Sequence, residues 1–238
     1  MMITRETTEL RNLDYHTGQT ILLDKPFKWT SFKVVALVRK YCGAKKVGHS
    51  GTLDPLATGL LIIKTGKKTK ELEDYIGLDK TYKGTFILGQ FSKTFDLEGE
   101  VQNVQIPAGI DKNKILEVKN KFIGEIYQTP PMFSAKKIKG KRLYKFARKG
   151  KDITVEPRKV TIYEFDLTSV QIPEITFRIK CSKGTYIRSI AADFGKELGT
   201  SAVLGSLRRI KIGEFDVEDA LTVDEFLDRI GVYGAGTK

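Results

Sequence analysis

Cysteine and histidine are scarce in this 238-residue chain, with two of each, and that scarcity removes several chemistries at once. Cys42 and Cys181 lie far apart and in no metal-ligand spacing, so neither a disulfide framework nor a zinc site is suggested. Both are expected to stay reduced in a cytoplasm. Of His16 and His49, only His49 is a plausible base for a Ser-His-Asp triad. No GxxxxGK[ST] loop is present and no GxGxxG follows a strand, so a nucleotide cofactor is not expected. The stretch GHSGT is not a GxSxG elbow, because Ser50 lies two residues after Gly48 but one before Gly51. The start, MMITRETTEL, lacks a basic segment followed by an apolar run, and the apolar run near Leu60 is far too short to cross a bilayer. A soluble protein with no metal or cofactor is the expectation, and a carboxylate-centred site is what remains.

Positive charge is what the chain has in excess. Forty-one Lys and Arg against 29 Asp and Glu give a formal charge of +12, which favours a polyanionic partner. Lys136–Lys159 concentrates the excess, with eleven basic residues against Asp152 and Glu156 in 24 positions. Phe133, Tyr144 and Phe146, with the turn-prone Gly140 and Gly150, give it the look of an ordered segment set against a phosphate backbone. A merely solvated face is the alternative.

Periodicity yields a mixed set of elements. Gln19–Asp24 reads as a buried strand stopped by Pro26. Ser31 is read as the N-cap of a helix carrying Val34, Val35, Val38, Tyr41 and Cys42, terminated by Gly43. Thr81–Gly89 alternates as a half-exposed strand, with Tyr82, Gly84, Phe86 and Leu88 on one face. Asp111 opens a helix through Leu116, Lys119 and Phe122 that ends at Gly124. Phe177, Ile179 and Cys181 mark another strand, which turns at Ser182–Gly184 into a helix marked by Ile187, Ile190, Ala191, Phe194 and Leu198 and closed by Gly199. Strands separated sometimes by helices and sometimes by turns indicate α+β with a mixed or mainly antiparallel sheet, without a clear domain boundary.

Gly48–Leu61 gathers the unusual residues. Gly48, Gly51 and Gly59 permit positive φ or close approach, and Pro55 stiffens the chain after Asp54 and biases Asp54 away from helical geometry. Such a constrained carboxylate suits catalysis; it equally suits the start of a turn, where Asp before Pro is common. His49 reads as a hydrogen-bonded loop residue or as a substrate contact.

The segment GHSGTLDPLATGLL closely resembles the nucleophile motif of the TruB family of tRNA pseudouridine synthases. Leu22–Pro26 (LLDKP) with Thr30 and Ser31, then Lys80–Lys83 (KTYK), Gln128–Arg148, Cys181–Ile190 (CSKGTYIRSI) and Ser206–Arg209 resemble further family motifs, in family order. The resemblance implies a pseudouridine synthase fold and the isomerisation of uridine 55 in the T-loop of tRNA without a cofactor. By it Asp54 matches the catalytic aspartate, Tyr82 the aromatic that stacks on the flipped uracil, and Arg188 the arginine paired with the aspartate. His49, Tyr186 and Leu207 match substrate-contacting positions. The chemistry agrees: the N-glycosidic bond is broken and C5 joined to C1′, which needs a nucleophile, a desolvated pocket and an unstacked base. Whether Asp54 attacks C1′, adds to C6 or acts through a glycal stays open.

Departures from the family pattern are Lys28, where glycine is usual, so that a locally different turn is expected, and Phe91 and Lys93 in Gly89–Gly99. The expected layout is a single catalytic domain over 1–238, an inserted RNA-binding element at about 127–155 and a short extension after about 213, with no full PUA-like domain. A cytoplasmic monomer that binds the tRNA T-arm, and no membrane, follows. The alternatives are a pseudouridine synthase acting on another RNA, or a non-catalytic RNA chaperone.

Overall fold

The computed structural model describes residues 1–134, 137, 138, 141–147 and 153–232, with backbone alone at Lys137, Ile138, Lys141, Arg142 and Lys145. Lys136, Lys139, Arg148, Lys149 and Lys151 of the basic run lie outside the described residues. The chain forms two compact units, Met1–Thr81 with Arg208–Lys238, and Tyr82–Leu207. Both crossings fall inside strands, so no linker composition marks them.

In the first unit, β1 (Met2–Ile3), β2 (Thr20–Lys25), α1 (Ser31–Cys42), β3 (Val47–His49), β4 (Thr58–Thr65) and α2 (Leu72–Gly77) precede β5 (Lys80–Leu88). Strand β2 pairs antiparallel with β4, placing Ile21 opposite Ile63 and Leu23 opposite Leu61. Those four pack with Val34, Val35 and Val38 of α1. Leu22, Leu60 and Ile62 point the other way into a second cluster with Ile212 and Val217. Both faces are covered, which is why these strands read as continuous apolar runs without alternation.

The cap of α1 is Thr30 rather than Ser31: the Thr30 hydroxyl accepts from the Lys33 N–H at 3.1 Å. Ser31 instead tethers the loop ahead of Asp54, its Oγ accepting from the Leu53 N–H (2.9 Å) and donating to the Leu53 carbonyl (3.2 Å). Gly43 closes the helix at φ 63°, as its position suggested. Lys28 also sits at φ 63°, so the turn keeps the left-handed conformation that glycine would serve, with lysine bearing the strain.

In the second unit come the short β6 (Gln90–Phe91) and β7 (Gln102–Asn103), then α3 (Lys112–Asn120), β8 (Gly124–Gln128), β9 (Lys137–Ile138), β10 (Lys141–Arg142), α4 (Leu143–Ala147), β11 (Arg158–Gln171), β12 (Glu174–Cys181), α5 (Ile187–Glu197) and β13 (Ala202–Ile212). Its sheet runs β13-β5-β12-β11-β8, with β11 antiparallel to both neighbours. Phe86, Phe122, Phe165, Phe177 and Phe194 form the core, Phe86 and Phe177 at 4.3 Å between centroids. The buried face of α3 is Ile115 and Val118, with Phe122 following, and Leu116 points outward. Arg158 and Lys159, the end of the basic run, belong to β11, where Lys159 pairs with Glu125 at 2.7 Å.

Beyond residue 207 the second half of β13 returns to the first unit, where Arg208 and Arg209 lie opposite Thr58 and Gly59 of β4. The chain then forms β14 (Phe215–Asp216), β15 (Leu221–Thr222) and α6 (Val223–Arg229). Helix α6 starts from a full capping box between Thr222 and Glu225. The architecture is α+β with a mixed sheet, as the sequence indicates.

Candidate active site

Asp54 is half-buried in the loop between β3 and β4, where its carbonyl accepts from the Ala57 N–H at 3.1 Å. That is a β-turn with Pro55 at its second position, so the backbone reading of Asp-Pro is correct whatever the side chain does. Two buried cations frame the loop. Lys25 is 0% exposed, and its ammonium donates to the carbonyls of Trp29 (2.6 Å), Pro26 (3.0 Å) and Pro55 (3.3 Å). Burial pushes the Lys25 amine down to about 8, with Arg209 adding to the effect while the charges of Asp54 and Asp24 oppose it. Arg209, also buried, donates from Nε to the Leu60 carbonyl (2.8 Å) and from Nη2 to the Gly51 carbonyl (3.1 Å).

Gly59, at φ 108°, admits this packing: a Cβ there would stand 2.2 Å from the Arg209 carbonyl oxygen. Gly51 likewise has φ 131°, whereas Gly48 has an ordinary φ, and a Cβ there would meet only a terminal methyl of Leu72, at 2.5 Å. Arg208 next door forks onto the Asp24 carboxylate, Nη1 to Oδ1 at 3.0 Å and Nη2 to Oδ2 at 2.6 Å.

His49 ends β3 and accepts the Gly51 N–H on Nδ1 at 3.2 Å, leaving Nε2 as the protonated nitrogen of the neutral ring. Burial and the neighbouring Arg209 charge both lower its pKa below the usual value. A neutral donor, not an imidazolium, is therefore what His49 offers at neutral pH.

Tyr82, Tyr186, Arg188 and Leu207 belong to the second unit, whereas His49 and Asp54 belong to the first. Tyr82 opens the second unit's share of β5, 8% exposed, and Leu207 lies half-buried on the neighbouring β13. Tyr186 precedes α5 and is clamped by buried Gln128: its N–H donates to Gln128 Oε1 (2.7 Å), and Gln128 Nε2 donates to its carbonyl (3.0 Å). The Arg158 guanidinium lies 4.9 Å from the Tyr186 ring centroid.

Arg188 occupies the first turn of α5, where the helix dipole disfavours a cation. Local acceptors offset this. Nη1 donates to the Thr94 carbonyl (2.8 Å), Nη2 to the Phe133 carbonyl (2.9 Å), and Nε stands 3.6 Å from Oδ2 of Asp96. The Arg188 and Asp96 side chains are only 4% and 6% exposed, so this is no surface ion pair. Thr94 fixes the carboxylate in turn, its hydroxyl donating to Asp96 Oδ1 at 2.6 Å.

Lys25, Arg209, Asp96 and Gln128 thus hold the candidate residues, and sequence reasoning gave none of them a role. Their signal was a charged or polar residue within a strand or motif otherwise destined for burial. A cleft of about 400 Å³ beside the loop is lined by Asp24, Lys25, Trp29, Thr58, Arg208 and Thr222, and Asp54 is not among its lining residues.

Residues 39–187 match the TruB family pseudouridylate synthase N-terminal domain, and residues 188–236 the tRNA pseudouridylate synthase B C-terminal domain. The chain is 48% identical over 220 residues to the tRNA pseudouridine synthase B of Flavobacterium johnsoniae, covering 90% of this chain and 96% of that one. It is 47% identical to its namesake in Aquifex aeolicus, covering 87% and 72%. Among solved structures, a Cbf5-Nop10-Gar1 complex matches at TM-score 0.71 and 26% identity over 98% of this chain and 64% of that chain. The archaeal box H/ACA sRNP Nop10-Cbf5 complex matches at 0.67 and 25%, over 93% and 56%. The chain therefore spans less than two thirds of those solved chains, but nearly the whole of the Flavobacterium relative. With family models matched from residue 39 to residue 236, the chain belongs to the TruB family of pseudouridylate synthases.

Proposed function

We propose that this chain isomerises uridine 55 in the T-loop of tRNA to pseudouridine, with Asp54 as nucleophile. The observation that carries the reading is the 48% identity to a tRNA pseudouridine synthase B over nearly its full length, with Asp54 held on a rigid turn in GHSGTLDPLATGLL. Identity to the Cbf5 structures is far lower, which favours tRNA over another RNA.

The flipped uracil stacks on Tyr82, with Tyr186 and Leu207 lining its pocket and His49 contacting the RNA through Nε2–H. The N1–C1′ bond breaks, the base turns, C5 bonds to C1′, the C5 proton leaves to solvent and the freed N1 takes up a proton in its place. Substrate and product are isomers, so no redox partner or co-substrate is required. Arg188 serves as cation for Asp54, supported by its two carbonyl bonds and by Asp96, which prevent the guanidinium from swinging away. Lys25 adds positive potential at Asp54 and holds the Pro55 carbonyl. Residues of about 127–155 grip the T-arm of a monomeric enzyme acting in the cytoplasm.

Tritium release from C5-labelled uridine in unmodified tRNA, with the modified position mapped, tests this. Wild-type protein is expected to release tritium from position 55 alone, and Asp54→Asn to bind tRNA without release. Turnover by Asp54→Asn, or modification elsewhere, would overturn it. A chaperone would be indifferent to this substitution.

A further inference from the structure

The basic run near residue 150 is not the only place where cations gather. From Lys25 to Lys46 the chain carries seven basic residues and no acid in 22 positions. Lys25 is the buried one; Lys28, Lys33, Arg39, Lys40, Lys45 and Lys46 are exposed, and none of them pairs with an acid among the described residues. Phe32, Lys33, Ala36, Arg39 and Lys40 project from the outward face of α1 at helical spacing.

Aromatic rings stand among these charges. Phe32 is 68% exposed and Phe27 54% exposed, two large apolar side chains left in water five positions apart in sequence. The Lys33 ammonium lies 3.8 Å from the Trp29 ring centroid and that of Lys28 5.6 Å from the Phe27 ring. Solubility alone would not place Lys28 and Lys33 at the N-terminal end of α1, where the dipole already supplies positive potential. Nor would it expose two phenylalanines. The patch also adjoins the candidate site, because Ser31 is hydrogen-bonded to Leu53, the residue before Asp54. From Ser31 to Lys40 the helix extends roughly 13 Å away from that loop.

We propose that the Phe27–Lys33 turn and the exposed face of α1 form a second RNA-binding surface, on which an unpaired base stacks against Phe32 while Lys33, Arg39 and Lys40 contact the phosphates that follow. Unpaired bases take aromatic platforms without sequence preference, and lysines along the same face follow the backbone. This rests on the RNA-modifying reading above, and it assigns part of the grip on tRNA to α1 rather than to residues 127–155.

The test is binding of unmodified tRNA by Asp54→Asn protein over a series of salt concentrations, which does not depend on turnover. Phe32→Ala is expected to weaken binding about tenfold at every salt concentration. Lys33→Ala, Arg39→Ala and Lys40→Ala combined should flatten log K against log salt by roughly 0.7 to 0.9 per lost phosphate contact, about two in all. In the active protein the same changes should raise KM and leave kcat at saturating tRNA unchanged. Circular dichroism checks the fold of each variant. Unchanged affinity and slope overturn the proposal, and so does a wild-type dimer in sedimentation that Phe27→Ala and Phe32→Ala abolish without affecting tRNA binding. Absence of tritium release from wild-type protein would instead refute the catalytic reading, leaving the binding result to stand by itself.

Discussion

Asp96 offers the sharpest test of how the second unit holds Arg188. Asp96→Asn removes one negative charge and leaves the shape, and the amide oxygen can still accept from Thr94 and from the Glu98 N–H. At the observed 3.6 Å between Nε and Oδ2, the pair is worth about 4 to 5 kcal/mol of gross attraction at an effective dielectric of roughly 20. Arg188 keeps its bonds to the Thr94 and Phe133 carbonyls, so the net loss is smaller, about 3 kcal/mol, at the low end for breaking a buried pair. With a slope of about 2 kcal/mol per molar urea, the unfolding midpoint should fall by about 1.5 M.

Arg188→Met alone should cost a similar amount, because it strands the Asp96 carboxylate. The double variant should cost less than the sum, with a coupling of about 2 kcal/mol or more. Tritium release should fall in Asp96→Asn while tRNA affinity is retained, since the carboxylate acts through the guanidinium. A coupling below about 0.5 kcal/mol would show that Asp96 and Arg188 act independently, and the reasoning would fail.

Three further outcomes are expected. Gly59→Ala forces a Cβ to within 2.2 Å of the Arg209 carbonyl oxygen at φ 108°, so it should cost more than about 3 kcal/mol, seen as a large drop in Tm or as insoluble protein. Lys25 has its pKa lowered to about 8, so wild type should gain stability relative to Lys25→Met as pH rises from about 8 towards 10.5, by at most about 3 kcal/mol. The sign follows because the unfolded chain binds the extra proton in that window. His49, whose pKa is lowered, should make wild type lose stability relative to His49→Gln as pH falls from 7 to 5; parallel pH profiles for the two proteins would refute its burial as a neutral ring.

Much of this molecule is determined by short-range rules. The apolar run Ile21–Leu23, the spacing of Val34, Val35 and Val38, the alternation through Phe177 and Cys181 and the glycines after α1 and α5 all found their elements, because period and turn chemistry act within a few residues, whereas α3 ends at Asn120 and Gly124, read as its terminator, opens β8. GHSGTLDPLATGLL with its companion motifs likewise marked the family in sequence. The N-cap of α1 was misread by one residue because Thr30 and Ser31 are chemically equivalent caps, and only the tether to Leu53 assigns Ser31 another task. The periodicity that marks α3 does not name its buried face, which Ile115 and Val118 take while Leu116 points outward.

What tertiary structure alone decided is where the charges go. Lys25 and Arg209 look in sequence like surface cations, yet both are buried with their donors spent on loop carbonyls around Asp54, because an unpaired carbonyl inside a protein is costly and a strand can deliver a cation to it. Asp96 finds Arg188 across more than 90 residues of chain, a distance over which no pattern is visible. Asp54 itself is proposed from its company in the sequence. The hydrogen bond that closes its turn, and the buried cations that frame it, are properties of the fold.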